Sequence, residues 1–225
     1  MLPALKVAGL TALTTIDFPG QLAAVVFCQG CPWRCPYCHN PNLLPNTGSD
    51  SLPWQQVTSF MNDRRGLLDG IVFSGGEPTS QTALLQAILE MKQLGFSVGL
   101  HTAGPYPDRL SKVLAHLDWI ALDIKAPFDS YDKITGALHS GEKAKQSALL
   151  ILESGLPYEF RTTVHPNLID ERSLLILARN LQQMGVENFA LQDFRPTSAL
   201  PKVEEPLSAH VIKAIGAMFP QFLVR

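Results

Sequence analysis

The sequence lacks several features that would place it in a class of protein at once. None of its apolar stretches approaches the roughly 20 residues that a helix needs to cross a bilayer, and its first residues lack the charged-then-apolar layout of a signal peptide. Lysine and arginine form no long block, and the formal net charge is −2, whereas a non-specific nucleic-acid binder usually shows a basic stripe. These absences predict a globular, cytoplasmic protein with neither a membrane nor nucleic acid as a partner.

Cysteine is scarce as well, and all four cysteines lie between Cys28 and Cys38. Cysteines so close together cannot staple a fold of 225 residues with disulfide bonds. Clustered thiols in a reducing compartment more often bind a metal. No cysteine follows Cys38, so the sequence offers thiol ligands for one metal centre and none for a second.

Three of these cysteines, Cys31, Cys35 and Cys38, have a C-x₃-C-x₂-C spacing and follow the apolar run at residues 22–27. Thiolates select iron–sulfur clusters, zinc or Cu(I). A cubane cluster normally takes four thiolates, so three thiolates on one loop would leave one iron open for a small-molecule ligand. This spacing favours an iron–sulfur cluster.

A compact zinc site is the alternative, because Cys28 extends the pattern to C-x₂-C-x₃-C-x₂-C. Structural zinc sites usually separate their two cysteine pairs by a dozen or more residues, and a gap of three is cramped. We therefore expect Cys28 to be a buried free cysteine at the end of its strand.

Strand-like and helix-like segments alternate through most of the sequence. The strand-like runs are short and rich in apolar and β-branched residues; they lie at residues 22–28, 70–74, 96–101, 119–124, 158–164 and 188–192. Segments with helical periodicity lie at residues 54–65, 82–94, 107–116, 142–154, 171–184 and 208–218, and a short extended end follows at 221–225.

This alternation implies a parallel sheet with right-handed crossovers. We predict an α/β fold with a single domain over residues 1–225, an incomplete (β/α)₆ TIM-like barrel. A doubly wound open sheet is the alternative. In either fold, ligands bind at the carboxyl ends of the strands.

A second motif follows the second strand-like run, in the segment Ser74-Gly75-Gly76-Glu77-Pro78. Glycines let the backbone approach a ligand closely, and Glu77 offers a hydrogen-bond acceptor. Alone, the motif could be an ordinary strand-to-helix turn. Together with the three-cysteine loop at the preceding strand end, it resembles the radical S-adenosylmethionine (radical SAM) superfamily.

The resemblance implies two cofactors and a set of contacts. Cys31, Cys35 and Cys38, on a cluster loop at residues 28–41, would hold one [4Fe–4S] cluster, whose open iron binds the amino and carboxylate groups of S-adenosylmethionine. Gly75, Gly76 and Glu77, in the strand end at residues 74–78, would contact the methionine amino group. Tyr37 matches an aromatic residue that the superfamily places near the adenine, although a packing aromatic would fit the same position.

Further segments narrow the resemblance to the glycyl-radical-enzyme activating enzymes. They are Thr-Ile-Asp-Phe-Pro-Gly at residues 15–20, Phe-Cys-Gln-Gly-Cys at 27–31, Cys-His-Asn-Pro at 38–41, Leu-Asp-Ile-Lys at 122–125 and Tyr-Asp-Lys-Ile-Thr-Gly at 131–136. The match is closest to the group that activates anaerobic ribonucleoside-triphosphate reductase.

By this resemblance, Asp123 and Lys125, in the strand end at residues 123–125, contact the cofactor. Their alternate spacing puts both on one face of a strand. The alternative is a salt-bridged pair inside the barrel.

Two segments depart from the related lyase activases. At the strand end 101–104 this sequence begins with His101, where those enzymes commonly read Asp-Thr-Asn-Gly, and at residues 192–195 it reads Gln-Asp-Phe-Arg, where they carry a histidine that touches the cofactor. His101 and Arg195 are therefore candidate cofactor contacts, and Arg161 is a candidate partner for the cofactor's carboxylate. We expect the loop histidines, His139 and His165, to be solvated.

The resemblance also implies a reaction. An external reductant, flavodoxin or ferredoxin, would deliver one electron, and cleavage of S-adenosylmethionine would lead to removal of the α-hydrogen of a glycine on a partner glycyl-radical enzyme, here the anaerobic ribonucleotide reductase. Two alternatives remain: a radical SAM enzyme acting on a small molecule such as a modified purine precursor, and a non-catalytic zinc-binding module.

Overall fold

The structure is a computed structural model, and it describes residues 4–47, 51–196, 200 and 207–225. Within these residues, eight strands form one sheet whose order follows the chain. The strands are β1 (Val7–Thr14), β2 (Ala23–Cys28), β3 (Gly70–Gly75), β4 (Ser97–Thr102), β5 (Trp119–Asp123), β6 (Tyr158–Val164), β7 (Asn188–Asp193) and β8 (Gln221–Val224). β1 pairs antiparallel with β2, and every following pair is parallel.

Helices occupy the connections between the parallel strands. They are α1 (Trp54–Asn62), α2 (Leu84–Gln93), α3 (Pro107–Leu114), α4 (Asp132–Thr135), α5 (Ser140–Ser154), α6 (Glu171–Gln183) and α7 (Ala209–Gly216). In α6, the buried residues Leu174, Leu177, Ala178 and Leu181 recur at helical spacing, and the Asp170 carboxylate caps the first turn by accepting from the Ser173 amide. None of the described helices is long and apolar enough to cross a membrane.

The strand order confirms the barrel-like fold. A doubly wound sheet reverses its strand order at a switch point, whereas here the order runs from β1 to β8 without reversal. The prediction of six strands holds for β2–β7, but the parallel set has a seventh member. The extended end pairs with β7 as β8, and its Phe222 ring lies 6.3 Å from the ring of Phe189.

The two faces of the sheet bury different clusters. The larger cluster contains Ala24, Val26 and Cys28 of β2 together with the buried faces of the helices. The alternating residues Ala23 and Val25 belong to a smaller cluster on the inner face, with Val72, Trp119, Ala121 and Phe18. Strand alternation therefore decides which side chains face the helices and which face the inside of the sheet.

Phe18, from the connection between β1 and β2, fills this inner space. Its ring stacks on Trp119 at 5.9 Å between ring centroids. A Cβ atom at Gly70 or Gly99 would lie 3.1 or 3.3 Å from the Phe18 ring, so glycine at these two strand positions makes room for it. The interior between β2 and β5 is thus closed near the amino ends of the strands.

Candidate active site

The cluster loop is held by its own backbone and by a distant segment. The Gly30 amide donates to the Leu43 carbonyl at 2.8 Å, and the Cys31 amide to the Leu44 carbonyl at 3.1 Å. Between the first two cysteines of the motif, the Arg34 amide donates to the Thr135 carbonyl at 2.7 Å. The loop is therefore folded back on itself and packed against the end of α4.

The four thiols fall into two environments. Cys31, Cys35 and Cys38 are half-buried on the loop, whereas Cys28 is fully buried in the helix-facing layer. Burial, with a smaller contribution from Glu77, raises the pKa of the Cys31 thiol to about 12, so the thiol is neutral until a metal displaces its proton. Among the described residues, no three His, Cys, Asp or Glu side chains are placed to hold a single metal ion.

The turn after β3 packs directly on the cluster loop. The Gly76 amide donates to the Cys28 carbonyl at 2.9 Å, and the Glu77 amide to the Gly30 carbonyl at 2.8 Å. A Cβ at Gly75 would lie 2.5 Å from the Cys28 nitrogen, and one at Gly76 would lie 2.5 Å from the Gly30 carbonyl oxygen. The two glycines thus allow a close approach between two backbone segments.

The Glu77 carboxylate joins this turn to the end of β4. One oxygen accepts from the Thr79 amide at 3.0 Å, the Thr79 hydroxyl at 2.6 Å and the Thr102 hydroxyl at 2.7 Å, and the other from the Ala103 amide at 2.9 Å. Burial raises the pKa of Glu77, and these hydrogen bonds oppose the increase. Its four protein donors give the carboxylate the role of holding two strand ends together.

Asp123, Lys125 and Arg161 form a charged group at the carboxyl ends of β5 and β6. Asp123 and Arg161 are register partners, and Arg161 Nε donates to an Asp123 oxygen. Lys125 Nζ lies 3.7 Å from the other oxygen and 5.6 Å from the centre of the Tyr37 ring. The salt-bridged pair is therefore present, and it lies beside the cluster loop.

The charges in this group determine its protonation. Burial would raise the pKa of Asp123, but the Arg161 and Lys125 charges outweigh this and hold it at about 2. Burial would lower the pKa of Lys125, but its acidic neighbours, among which Asp123 is the charged one, raise it above its ordinary value. The carboxylate and the ammonium are both charged at neutral pH.

The ring of His101 is held in place by other residues of the protein. Its Nε2 donates to the Asp17 carbonyl at 2.9 Å, its Nδ1 accepts from the Ser74 hydroxyl at 3.4 Å, and its ring meets Trp119 edge-on. Burial and the Arg161 charge lower the pKa of His101 to about 3. The neutral ring anchors the Phe18 connection to β4, and both its nitrogens are engaged by the protein.

The structure does not bring the Arg195 side chain into this group. Arg195 is exposed, and its described polar contact is its main-chain carbonyl, which accepts from His39 Nε2 at 3.0 Å. The Tyr37 ring, in contrast, is buried between the cysteines, and its hydroxyl has no hydrogen-bond partner among the described residues.

One of the two histidine predictions is wrong. His139 is exposed beside Glu142, as expected, but His165 is 2% exposed. His165 meets the Phe194 ring edge-on at 4.7 Å, and His39, next to Cys38, stacks on the same ring at 5.7 Å. This three-ring stack ties the cluster loop to the ends of β6 and β7. Sequence spacing could not reveal it, because its members are far apart in the chain.

A profile of the Radical SAM superfamily matches residues 25–204. The chain belongs to the radical SAM superfamily. A protein of Methanocaldococcus jannaschii, named as a provisional glycyl-radical enzyme activating enzyme, is 32% identical over 86% of this chain and 81% of its own length. The pyruvate formate-lyase-activating enzyme of Clostridium pasteurianum is 30% identical over 95% of this chain and 91% of its own length. Within the superfamily, this radical SAM enzyme therefore belongs with the activating enzymes.

Solved structures agree on the fold. QueE from Escherichia coli superposes with a TM-score of 0.60 over 98% of this chain and 93% of its own, at 16% identity. SuiB from Streptococcus suis bound to S-adenosylmethionine gives a TM-score of 0.66 over 88% of this chain and 48% of its own, at 10% identity. The chain thus spans about half of SuiB.

Radical SAM enzymes use a [4Fe–4S] cluster and S-adenosylmethionine, and these are the cofactors of this enzyme. The residues fit them. Three half-buried thiols lie on one loop while Cys28 is turned away, and the loop lies against the turn after β3. Two buried polar atoms without a partner in the described part of the chain, the Tyr37 hydroxyl and His165 Nε2, lie at the same end of the sheet. Membership of this enzyme family excludes the alternative of a non-catalytic zinc-binding module.

Proposed function

We propose that this radical SAM enzyme generates a glycyl radical on a partner enzyme, the anaerobic ribonucleotide reductase, in the cytoplasm. One observation carries the proposal: relatives of similar length, identical at nearly a third of positions, bear the names of activating enzymes. The match around the cysteine motif and at residues 131–136 supports the reductase as the partner. Flavodoxin or ferredoxin is the proposed reductant.

Three cysteines hold the cluster in this proposal. When bound, the cluster and S-adenosylmethionine would supply the one-electron chemistry that removes a hydrogen atom from the glycine, with the electron from the reductant and with methionine and 5′-deoxyadenosine as products. Cys31, Cys35 and Cys38 supply the thiolates. The exposed residues Pro32 and Pro36, beside these cysteines, leave the loop accessible to a protein reductant.

The strand ends bind S-adenosylmethionine in this proposal. Since the Glu77 carboxylate already accepts four hydrogen bonds from the protein, we assign the main contact with the methionine amino group to the backbone of the turn at Gly75 and Gly76. Lys125 and Arg161 supply positive charge for the methionine carboxylate. Asp123 holds both side chains in place through its ion pairs with them. Tyr37 covers the adenine.

The inner face of β6–β8 suits a peptide as the substrate. Residues that alternate with the buried Phe160 and Phe189 and with the partly buried Phe222 face inward. They include the amide side chains Asn188, Gln192 and Gln221, which we call the amide wall. An amide group both donates and accepts hydrogen bonds, as a peptide backbone does. Gln192 lies at the carboxyl end of β7 and offers such a partner to an extended glycine loop, whereas Asn188 and Gln221 open β7 and β8 at the amino ends, where the Asn188 amide donates to the Tyr158 carbonyl.

The test combines the anaerobically reconstituted and reduced enzyme with S-adenosylmethionine and the anaerobic ribonucleotide reductase. We expect a glycyl doublet by electron paramagnetic resonance, which disappears when the radical-bearing glycine of the reductase is changed to alanine. The Cys35→Ala variant of the activating enzyme, which lacks a cluster thiolate, serves as the negative control.

Two outcomes would change the proposal in different ways. A doublet on another glycyl-radical enzyme alone would keep the reaction and replace the partner. Turnover of a free small molecule such as a purine precursor, with no protein radical on any candidate partner, would refute the activase function and leave the family membership standing.

A further inference from the structure

The His165 ring carries a hydrogen-bond donor that has no acceptor among the described residues. Its Nδ1 accepts from the Asn167 amide at 3.3 Å, so in the neutral ring the proton is on Nε2. Nε2 is buried and has no hydrogen-bond partner among the described residues. A buried donor without an acceptor costs free energy, and such groups in native proteins call for an explanation, often a missing ligand.

The position of His165 associates this donor with the cofactor. His165 follows β6, and it alternates with Arg161 and Thr163, which places it on the inner side at the carboxyl end of the strand. Arg161 binds Asp123 in the charged group described above. Through the Phe194 ring, His165 is also in contact with His39, the neighbour of Cys38.

We propose that His165 Nε2–H donates a hydrogen bond to the nucleoside half of S-adenosylmethionine. The methionine end is assigned to the turn after β3 and to Lys125 and Arg161, and His165 lies four residues beyond Arg161, roughly 13 Å farther along the direction of β6. Across such a distance, the far end of the elongated cofactor is its nucleoside. The ribose hydroxyls and the adenine nitrogens are acceptors there. This inference rests on the family membership and on the site assignment, not on the identity of the partner enzyme.

Two variants separate the donor from the ring. In His165→Phe, an aromatic ring still packs on Phe194 but the donor is lost, and in His165→Gln an amide donor is restored at similar reach. Calorimetry on the anaerobic, cluster-loaded protein measures binding of S-adenosylmethionine, methionine and 5′-deoxyadenosine. For His165→Phe we expect roughly tenfold weaker binding of S-adenosylmethionine and 5′-deoxyadenosine, with methionine unchanged. His165→Gln should recover most of the loss.

Thermal unfolding of the same cluster-loaded proteins provides a second readout, because the direction of the change in melting temperature distinguishes the two roles of His165. Removing an unsatisfied donor should leave the melting temperature of His165→Phe unchanged or higher without S-adenosylmethionine. The additional stabilisation by the cofactor should be smaller than in the wild type, because ligand stabilisation follows affinity.

The opposite pattern would overturn the inference. If the N–H group only points at the Phe194 ring, His165→Phe would melt lower without the cofactor and bind all three ligands like the wild type. An equal loss of methionine affinity would move the donor to the methionine end and refute the nucleoside assignment. If the wild type failed to bind S-adenosylmethionine, both this inference and the cofactor assignment would fall.

Discussion

Cys28 and Cys31 are close in the chain, yet their thiols have different surroundings. Cys28 ends β2 and shares the helix-facing layer with Ala24 and Val26, because alternate strand residues face the same side. Cys31 lies beyond the strand on the loop that carries Cys35 and Cys38. At the scale of single residues, strand alternation thus places the Cys28 thiol in the helix-facing layer, apart from the three loop thiols that we propose as ligands.

Alanine at Cys31, Cys35 or Cys38 should therefore abolish the cluster. Cys28→Ala, the matched control, should keep about four irons per chain after anaerobic reconstitution and lose only about 1 kcal/mol of stability from weaker packing. Iron analysis and visible absorption measure the difference. Loss of iron in Cys28→Ala with retention in Cys31→Ala would reverse the ligand assignment.

Sequence spacing predicted the thiol candidates because cluster ligands are neighbours in the chain. It could not predict the hydrogen bonds of Glu77, whose partners include Thr102 and Ala103 on the next strand. Nor could it predict that both nitrogens of His101 are engaged, one of them by the carbonyl of Asp17, 84 residues away. Roles that depend on such distant partners become visible only in the folded chain.

At the scale of elements, the cluster loop and the turn after β3 act as one unit. Their backbones are joined by hydrogen bonds at Gly76 and Glu77, and the Glu77 carboxylate extends the unit to the end of β4. The conformation of the loop that holds the cysteines therefore depends on residues that are not themselves ligands.

Gly76→Ala should disturb the cluster loop. Its backbone conformation suits any residue, but the new Cβ would lie 2.5 Å from the Gly30 carbonyl oxygen, and overpacking of this kind typically costs about 1–3 kcal/mol. We expect lower stability in denaturant and lower iron content. Gly9→Ala is the control, because its Cβ would meet only Phe27 at 4.0 Å. A Gly76→Ala protein with normal stability and iron content would show that the two segments can separate at no cost.

At the two edges of the sheet, sequence patterns missed β1 and predicted β8 as an extended end without its pairing. β1 has exposed residues in its second half and two irregularities in its register with β2, so it lacks the alternation that identifies a strand. β8 is short and largely exposed, and it is defined by its pairing with β7. The central strands were predictable because burial on both faces makes their sequences continuously apolar.

At the scale of the whole molecule, the inner face of the sheet has two chemically different parts. Between β2 and β5 it is apolar and filled by Phe18 and Trp119. Between β6 and β8 it carries the amide wall, together with the ion pair of Arg225 and Glu159. Under the proposed function, the carboxyl end of the polar part, where Gln192 lies, would hold a peptide segment beside the cofactor.

Gln192→Leu should weaken the interaction with the reductase. Leucine keeps much of the side-chain volume but cannot pair with a peptide backbone, so the reductase concentration for half-maximal radical yield should rise roughly tenfold. Electron paramagnetic resonance over a reductase titration measures this concentration. Gln182→Leu, on the exposed side of α6, should behave like the wild type. An unchanged midpoint in Gln192→Leu would show that the glycine loop does not touch the amide wall.

The Phe18 ring has a consequence for the order of events. Because it fills the interior of β2–β5 near the amino ends of the strands, a molecule bound at the carboxyl ends cannot leave through that side. Under the proposed function, methionine and 5′-deoxyadenosine then leave from the carboxyl side of the sheet, the side on which the glycine loop would dock. A docked loop would cover these products, so we expect one glycyl radical per docking event, with release of the partner before the next S-adenosylmethionine binds.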